Sequence, residues 1–283
     1  MIIDIHTHAF PDDLAERAIS KLSAMSHIPP FSDGTYTGLS VCARKAGVDL
    51  SVVLPVATSA RQVATINATA ARVNEHTSET GLFSFGGIHP DTPDWRTELN
   101  SIAAHGLKGI KLHPVYQGVD LDDPRYLRIL ERAGELGLIV ITHAGLDIGY
   151  PGEVRCSPEM VSNALRQVGP VTLVLAHMGG WRQWDRAREL LAGTSVYLDT
   201  AFSLGAVIPL DDGYYSPEDL PLLDQEGFLR MAEAFGTDRL LFGTDSPWSA
   251  QERDIEWIRA LPLSQEQKDA ILGGNAQRLL GLA

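Results

Sequence analysis

Two cysteines, Cys42 and Cys156, carry all the thiol chemistry of this 283-residue chain, and no CxxC spacing joins them. Neither a disulfide-stapled scaffold nor a thiolate zinc site is therefore expected. Positive charge is scarce as well: 23 Lys and Arg stand against 36 Asp and Glu, a net charge of −13, with no basic cluster to offset it. Such a surface repels a phosphate backbone, so nucleic acid is not an expected partner. Glycine and proline are not enriched, which excludes collagen-like and low-complexity chains. No stretch reaches the ~20 apolar residues of a membrane span. The opening Met1-Ile2-Ile3-Asp4-Ile5-His6 lacks the basic start of a signal peptide. A cytoplasmic protein without membrane contact is the expectation.

What the chain does have is alternation. Short runs rich in Val, Ile and Leu recur at 2–8, 50–56, 82–89, 109–113, 138–143, 172–177, 196–200 and 240–245. Near-continuous apolar runs of this length suit parallel strands buried on both faces. Helical patterns lie between them, as at Val63–His76, Arg125–Leu136 and Trp181–Leu191, with Gln251–Leu261 and Ser264–Leu272 after the last run. A glycine precedes each later strand, namely Gly47, Gly81, Gly106, Gly137, Gly169, Gly193 and Gly236. Glycine accepts the left-handed conformation that ends a helix, so these positions read as helix-to-strand junctions. Eight strands alternating with helices predict an α/β fold, a (β/α)8 TIM barrel, as a single domain over residues 1–283. The competing doubly wound sheet would carry GxGxxG after its first strand, and none is present. Two longer insertions, Ser20–Gly38 and Leu204–Pro221, follow strands one and seven and would lie at the mouth of the barrel.

Six of the nine histidines fall at the ends of these strands: His6, His8, His89, His113, His143 and His177. Strand one holds Asp4, His6 and His8 at i, i+2 and i+4, positions that share one face of a regular strand. Asp245 closes the eighth strand, and a carboxylate there is costly to bury without a metal or a histidine beside it. Taken together these residues point to a metal centre at the C-terminal mouth.

Asp4-x-His6-x-His8, the histidines ending strands five and six, and the aspartate after strand eight resemble the amidohydrolase superfamily. The supporting motifs are Gly-Ile-Lys-Leu-His-Pro at 109–114, Ala-His-Met-Gly-Gly at 176–180, Gly-Thr-Asp-Ser-Pro at 243–247 and Asn-Ala-Gln-Arg-Leu-Leu at 275–280. They look like the branch called amidohydrolase family 2, which includes hydrolases and also decarboxylases similar to aminocarboxymuconate semialdehyde decarboxylase. The resemblance implies His6, His8, His143 and Asp245 as ligands of a divalent metal, with zinc as the first expectation. It implies His177 as the histidine that assists the chemistry, or that binds a second ion in two-metal members. Lys111, on strand four, is the position of a carboxylated bridging lysine in some members; the alternative is an uncarboxylated charge paired with Asp4 or Asp245. One ion is the default and two the alternative.

The reaction expected first is hydrolysis of an amide, lactone or ester of a small molecule. There Asp245 acts as general base, and His177 with the metal polarises the carbonyl. The alternative is non-oxidative decarboxylation of a small unsaturated or aromatic acid. His113, Tyr116, Arg182 and Trp248 are the candidate substrate contacts, with Trp181 nearby and Arg155 read as ordinary surface. Trp184 and Trp257, read as exposed, leave room for a homodimer.

Overall fold

The computed structural model describes residues 1–282, so Ala283 of the expected domain lies outside the described residues. Eight parallel strands follow one another around a ring: β1 (Ile3–Thr7), β2 (Leu50–Val53), β3 (Leu82–Ser84, resumed at Gly86–Gly87), β4 (Gly109–Leu112), β5 (Ile139–Thr142), β6 (Thr172–Leu175), β7 (Tyr197–Asp199) and β8 (Leu240–Leu241). Register carries straight across the central strands, with Ile110 opposite Val140 and Ile141 opposite Val174. The break in β3 at Phe85 divides its pairing, since Ser84 meets Val53 on β2 while Gly86 meets Ile110 on β4. The ring closes at the seam between β8 and β1. There Ile5 N donates to Phe242 O at 2.8 Å and His8 N to Ser246 O at 2.6 Å. The TIM barrel predicted from the sequence is the fold observed.

Side-chain alternation builds two cores. Ile3, Ile5, Val52, Ile139, Ile141, Val174 and Leu241 cluster inside the ring together with Ala276 and Leu280 of the last helix. Ile110, Leu112, Val140, Leu173 and Leu175 point the other way and pack on helical residues such as Ile129 and Val161. On β4 this leaves Lys111 facing inward, 1% exposed. The helix Pro124–Glu135 shows how the outer layer is specified: Asp123 caps it by accepting from Arg125 N, Pro124 takes the first turn, and Tyr126, Ile129, Leu130 and Ala133 are buried.

Six of the seven expected glycine junctions hold positive φ, and Gly169 does not. Pro170 follows it, and a residue before proline is pressed toward extended conformations. The helix expected from Trp181 starts at Trp184, because Gly179, Gly180 and Arg182 all hold positive φ and interrupt the turn. Ser20–Gly38 is only partly an irregular insertion, since the helix Asp12–Ser26 occupies its first part.

Loops from five strands meet at the C-terminal mouth in one apolar cluster. Ile28, Trp181 and Val207 are its buried members, with Leu146, Phe202, Tyr215 and Trp248 packed on them. Trp184 and Trp257 are not exposed. Both are half-buried against the main core, and Trp184 Nε1 donates to His177 O at 3.0 Å, so neither supplies a free aromatic surface for dimerisation.

Candidate active site

At the mouth, three donor atoms make a small triangle. His6 Nε2 lies 3.2 Å from His8 Nε2 and 3.3 Å from Asp245 Oδ1, and His8 Nε2 lies 3.0 Å from the same oxygen. Ligands about 2.0–2.1 Å from a tetrahedral zinc stand roughly 3.3 Å from one another, so these edges suit a divalent ion. Hydrogen-bond logic agrees. His6 Nδ1 is engaged by Asp199 Oδ2 at 2.8 Å and His8 Nδ1 by Leu54 O at 2.8 Å. A carboxylate or a carbonyl only accepts, so each Nδ1 carries the proton and each neutral ring turns a bare Nε2 lone pair toward the other. Two facing lone pairs repel unless a cation or a donated proton relieves them; here Lys111 Nζ, 3.0 Å from His6 Nε2, supplies such a proton, and a divalent ion would do so in its place.

The local backbone explains how both imidazoles arrive there. Strict alternation would put Asp4 on the same face as His6 and His8, but the register of β1 against β2 shifts between Asp4 and Thr7. Asp4 therefore bonds elsewhere, accepting from Thr244 Oγ1 at 2.6 Å and Gln251 Nε2 at 2.7 Å, while His6 and His8 turn into the site. Burial pushes the Asp4 carboxyl up to about 7.

A second pair of rings repeats the pattern. His143 Nε2 lies 3.1 Å from Leu146 O and His177 Nδ1 lies 2.9 Å from Ala201 O. Their remaining nitrogens, His143 Nδ1 and His177 Nε2, face each other at 3.0 Å. His143 does not join the triangle: its Nε2 belongs to a separate group with His113 and Asp147. Burial presses His6 and His143 well below the usual imidazole range, helped at His6 by Lys111 and at His143 by His177. Burial alone would raise the Asp245 carboxyl, but His6, His8 and His177 together hold it well below the usual carboxylate range. His177 and Asp245 both hold left-handed backbone, with φ of 59° and 67°.

Lys111 reaches the centre from β4, its Nζ 3.0 Å from His6 Nε2, and burial brings its ammonium down to about 8. Its hydrogen bond is therefore to His6, not to Asp4 or Asp245. His113 shares that inward face but orients rather than opens: its ring is stacked between Tyr116, at 3.8 Å, and His143, at 4.3 Å. Trp248 lies in the apolar cluster beside Asp245. Arg182 is turned away from the centre, donating to Asp219 O and covering the Trp181 ring at 4.7 Å. Arg155 is tied to Asp120 and Glu153, and His89 folds back on Asp91 N, both outside the site.

Two buried carboxylates escape a reading by strand-end histidines. Asp199 ends β7 and grips His6, just as Asp245 closes the next strand, and that parallel was the available signal. Asp147, in the loop after β5, is 3.5 Å from His113 Nε2, and burial pushes its carboxyl up to about 6. Nothing in the periodicity marks it.

Comparison with known proteins gives the family and the fold. The family model Amidohydro_2, described as amidohydrolase, matches residues 3–282. A 2-amino-3-carboxymuconate-6-semialdehyde decarboxylase of Dictyostelium discoideum is 27% identical over 199 residues. That match covers 62% of this chain and 54% of the relative, so the chain spans about half the length of the curated relative it matches. An uncharacterized TIM-barrel protein of Bordetella bronchiseptica superposes with a TM-score of 0.71 at 20% identity, covering 99% of this chain and 98% of that one. A 2,6-dihydroxybenzoate decarboxylase from Rhizobium superposes with a TM-score of 0.66 at 14% identity, covering 99% and 98%. No helix among the described residues is long and apolar enough to cross a membrane.

Proposed function

Since this chain belongs to the amidohydrolase family, whose members are metal-dependent enzymes acting on small molecules, we propose that it is a metal-dependent non-oxidative decarboxylase of a small unsaturated or aromatic acid. The triangle of His6, His8 and Asp245, with edges of 3.0–3.3 Å, is the observation that carries the reading. His143 stands outside the triangle, its Nδ1 facing His177 Nε2 at 3.0 Å. Zinc, as one ion, suits these nitrogen and carboxylate donors. A divalent ion there supplies fixed positive charge for a substrate carboxylate and for charge that develops at the reacting carbon.

The chain's own groups do the rest. His177 is held by Ala201 O through Nδ1, which frees Nε2 to carry a proton. Decarboxylation breaks the bond between the ring or chain carbon and the carboxylate, releases CO2, and leaves its electron pair on that carbon, which takes up a proton drawn from solvent water and relayed by His177 or Asp245. Tyr116 is stacked on the His113 ring at 3.8 Å, placed to meet a substrate oxygen. The aromatic wall of Trp181, Phe202 and Trp248 suits a flat, unsaturated ligand. The decarboxylase relative and the decarboxylase of like fold support this reading over hydrolysis.

A second reading, hydrolysis of an amide, lactone or ester with Asp245 as general base, is favoured by one observation. Lys111 is a buried amine brought down to about 8 beside His6, the setting in which a lysine can take up CO2 and bridge two ions. One experiment separates the readings. The metal-loaded protein is offered a panel of aromatic and unsaturated acids, amides and lactones, with CO2 release and acid production followed in parallel. CO2 from an acid at one ion per chain supports the decarboxylase. Acid from an amide or lactone, at two ions per chain falling to one in Lys111→Ala, overturns it in favour of the hydrolase.

A further inference from the structure

Three of the four imidazoles at the centre take their orientation from the backbone: His8 from Leu54 O, His177 from Ala201 O and His143 from Leu146 O. His6 differs. Its Nδ1 meets a carboxylate, Asp199 Oδ2, at 2.8 Å, and both residues are fully buried. The other oxygen of that carboxylate accepts from His177 N at 2.9 Å and from Ala201 N at 3.1 Å. One side chain at the end of β7 thus holds the ring of a β1 histidine and the backbone of the histidine after β6.

Resting on the metal-centre reading above, we propose that Asp199 is the positioning residue of this centre. It fixes His6 as the Nδ1–H tautomer and sets His177 through its backbone. With 0% exposure Asp199 cannot touch a substrate, so it acts through the two histidines. Two backbone donors pin Oδ1 and keep the carboxylate an acceptor, which leaves Oδ2 no role except to take the His6 proton. A carboxylate in this place does two things that a carbonyl does less well: it locks the tautomer, and its charge makes the opposite nitrogen a better donor to a metal. Loss of such an outer partner typically weakens metal binding by about 10–100-fold.

The test uses Asp199→Asn and Asp199→Ala in the full chain with two readouts. Nitrogen-15 shifts of the histidine rings in metal-free protein report the tautomer of His6, and chelator competition with zinc reports affinity. Wild type is expected to show a single Nδ1–H form at His6. Asp199→Ala should show mixed tautomers and a zinc Kd about 10–100-fold weaker. Asp199→Asn should turn His6 over to the Nε2–H form and weaken zinc binding at least as much, because with Oδ1 kept by the two backbone donors its amide nitrogen faces His6 Nδ1 and can only donate to it. Asparagine keeps the shape, so it carries the test if the alanine variant does not fold. An unchanged tautomer, or a Kd within about threefold of wild type, overturns the proposal. Wild type that takes up no divalent ion would sink the metal-centre reading alone, while the His6 tautomer in the variants still decides for or against Asp199.

Discussion

Lys111 Nζ lies 3.0 Å from His6 Nε2, so an ammonium proton occupies the lone pair that a metal ion would need. The lysine and the ion compete for one nitrogen. Lys111→Met keeps the side-chain volume and removes both the proton and the charge. At an effective dielectric of ~20, a like unit charge ~4 Å away costs about 4 kcal/mol. The variant should therefore hold one ion per chain with at least about tenfold tighter affinity, read by chelator competition. A drop in ion count on this substitution would instead identify Lys111 as a bridging ligand.

Metal dependence is expected to rest on the triangle at the mouth. His6→Ala and Asp245→Asn should each lose bound metal, measured by elemental analysis of protein purified without chelator or a histidine-affinity resin. Activity should fall by more than the roughly 10–100-fold typical of losing an outer partner. A strong chelator should abolish activity in wild type and a divalent metal should restore it. Full activity in thoroughly stripped protein would contradict the proposed function.

Gln117 ties three loops together beneath His113. Its Nε2 donates to Ala57 O at 2.8 Å and Ile88 O at 2.7 Å, and its Oε1 accepts from His113 N at 3.0 Å and the Tyr126 hydroxyl at 2.5 Å. Gln117→Leu leaves four buried groups without partners. Each unsatisfied group costs about 1–3 kcal/mol, so a loss of at least about 3 kcal/mol is expected in urea unfolding. A loss below about 1 kcal/mol would show that water replaces the amide.

Asp254 makes stability depend on pH. Burial pushes its carboxyl up to about 7, only partly offset by the Ser249 hydroxyl and Arg253. The unfolded value is ~3.9, so between these values the native state binds the extra proton, and stability falls as pH rises. Asp254→Asn should match wild type near pH ~4 and exceed it by up to about 4 kcal/mol at pH ~8. Unfolding curves at the two pH values check this. Parallel pH profiles for the two proteins would refute it.

Much of the fold could be read from the chain because apolar runs and junction glycines report directly on buried parallel strands. All eight strands form where Val, Ile and Leu cluster. The histidines ending β1, β5 and β6 could be placed at the mouth for the same reason, since a strand end in a barrel fixes where its side chain emerges. Three features were not legible. The register shift in β1 sends Asp4 toward Gln251, and no residue type announces it. Asp147 comes from a short hairpin after β5 whose geometry depends on contacts distant in sequence. Arg182 lies five residues after His177, close enough in the chain to suggest a substrate contact, yet with left-handed backbone it donates to Asp219 O. Proximity along the chain says little about direction once φ changes sign.

The left-handed backbone at His177 and Asp245 also bears on how this protein can change. A side chain in that region carries a strain of the order of 1–3 kcal/mol that glycine would not feel. Replacing either residue by glycine would thus relieve the backbone while deleting a side chain of the proposed centre. Glycine at either position would exchange the side chain for backbone relief, so selection for thermal tolerance alone would place no value on keeping these two side chains.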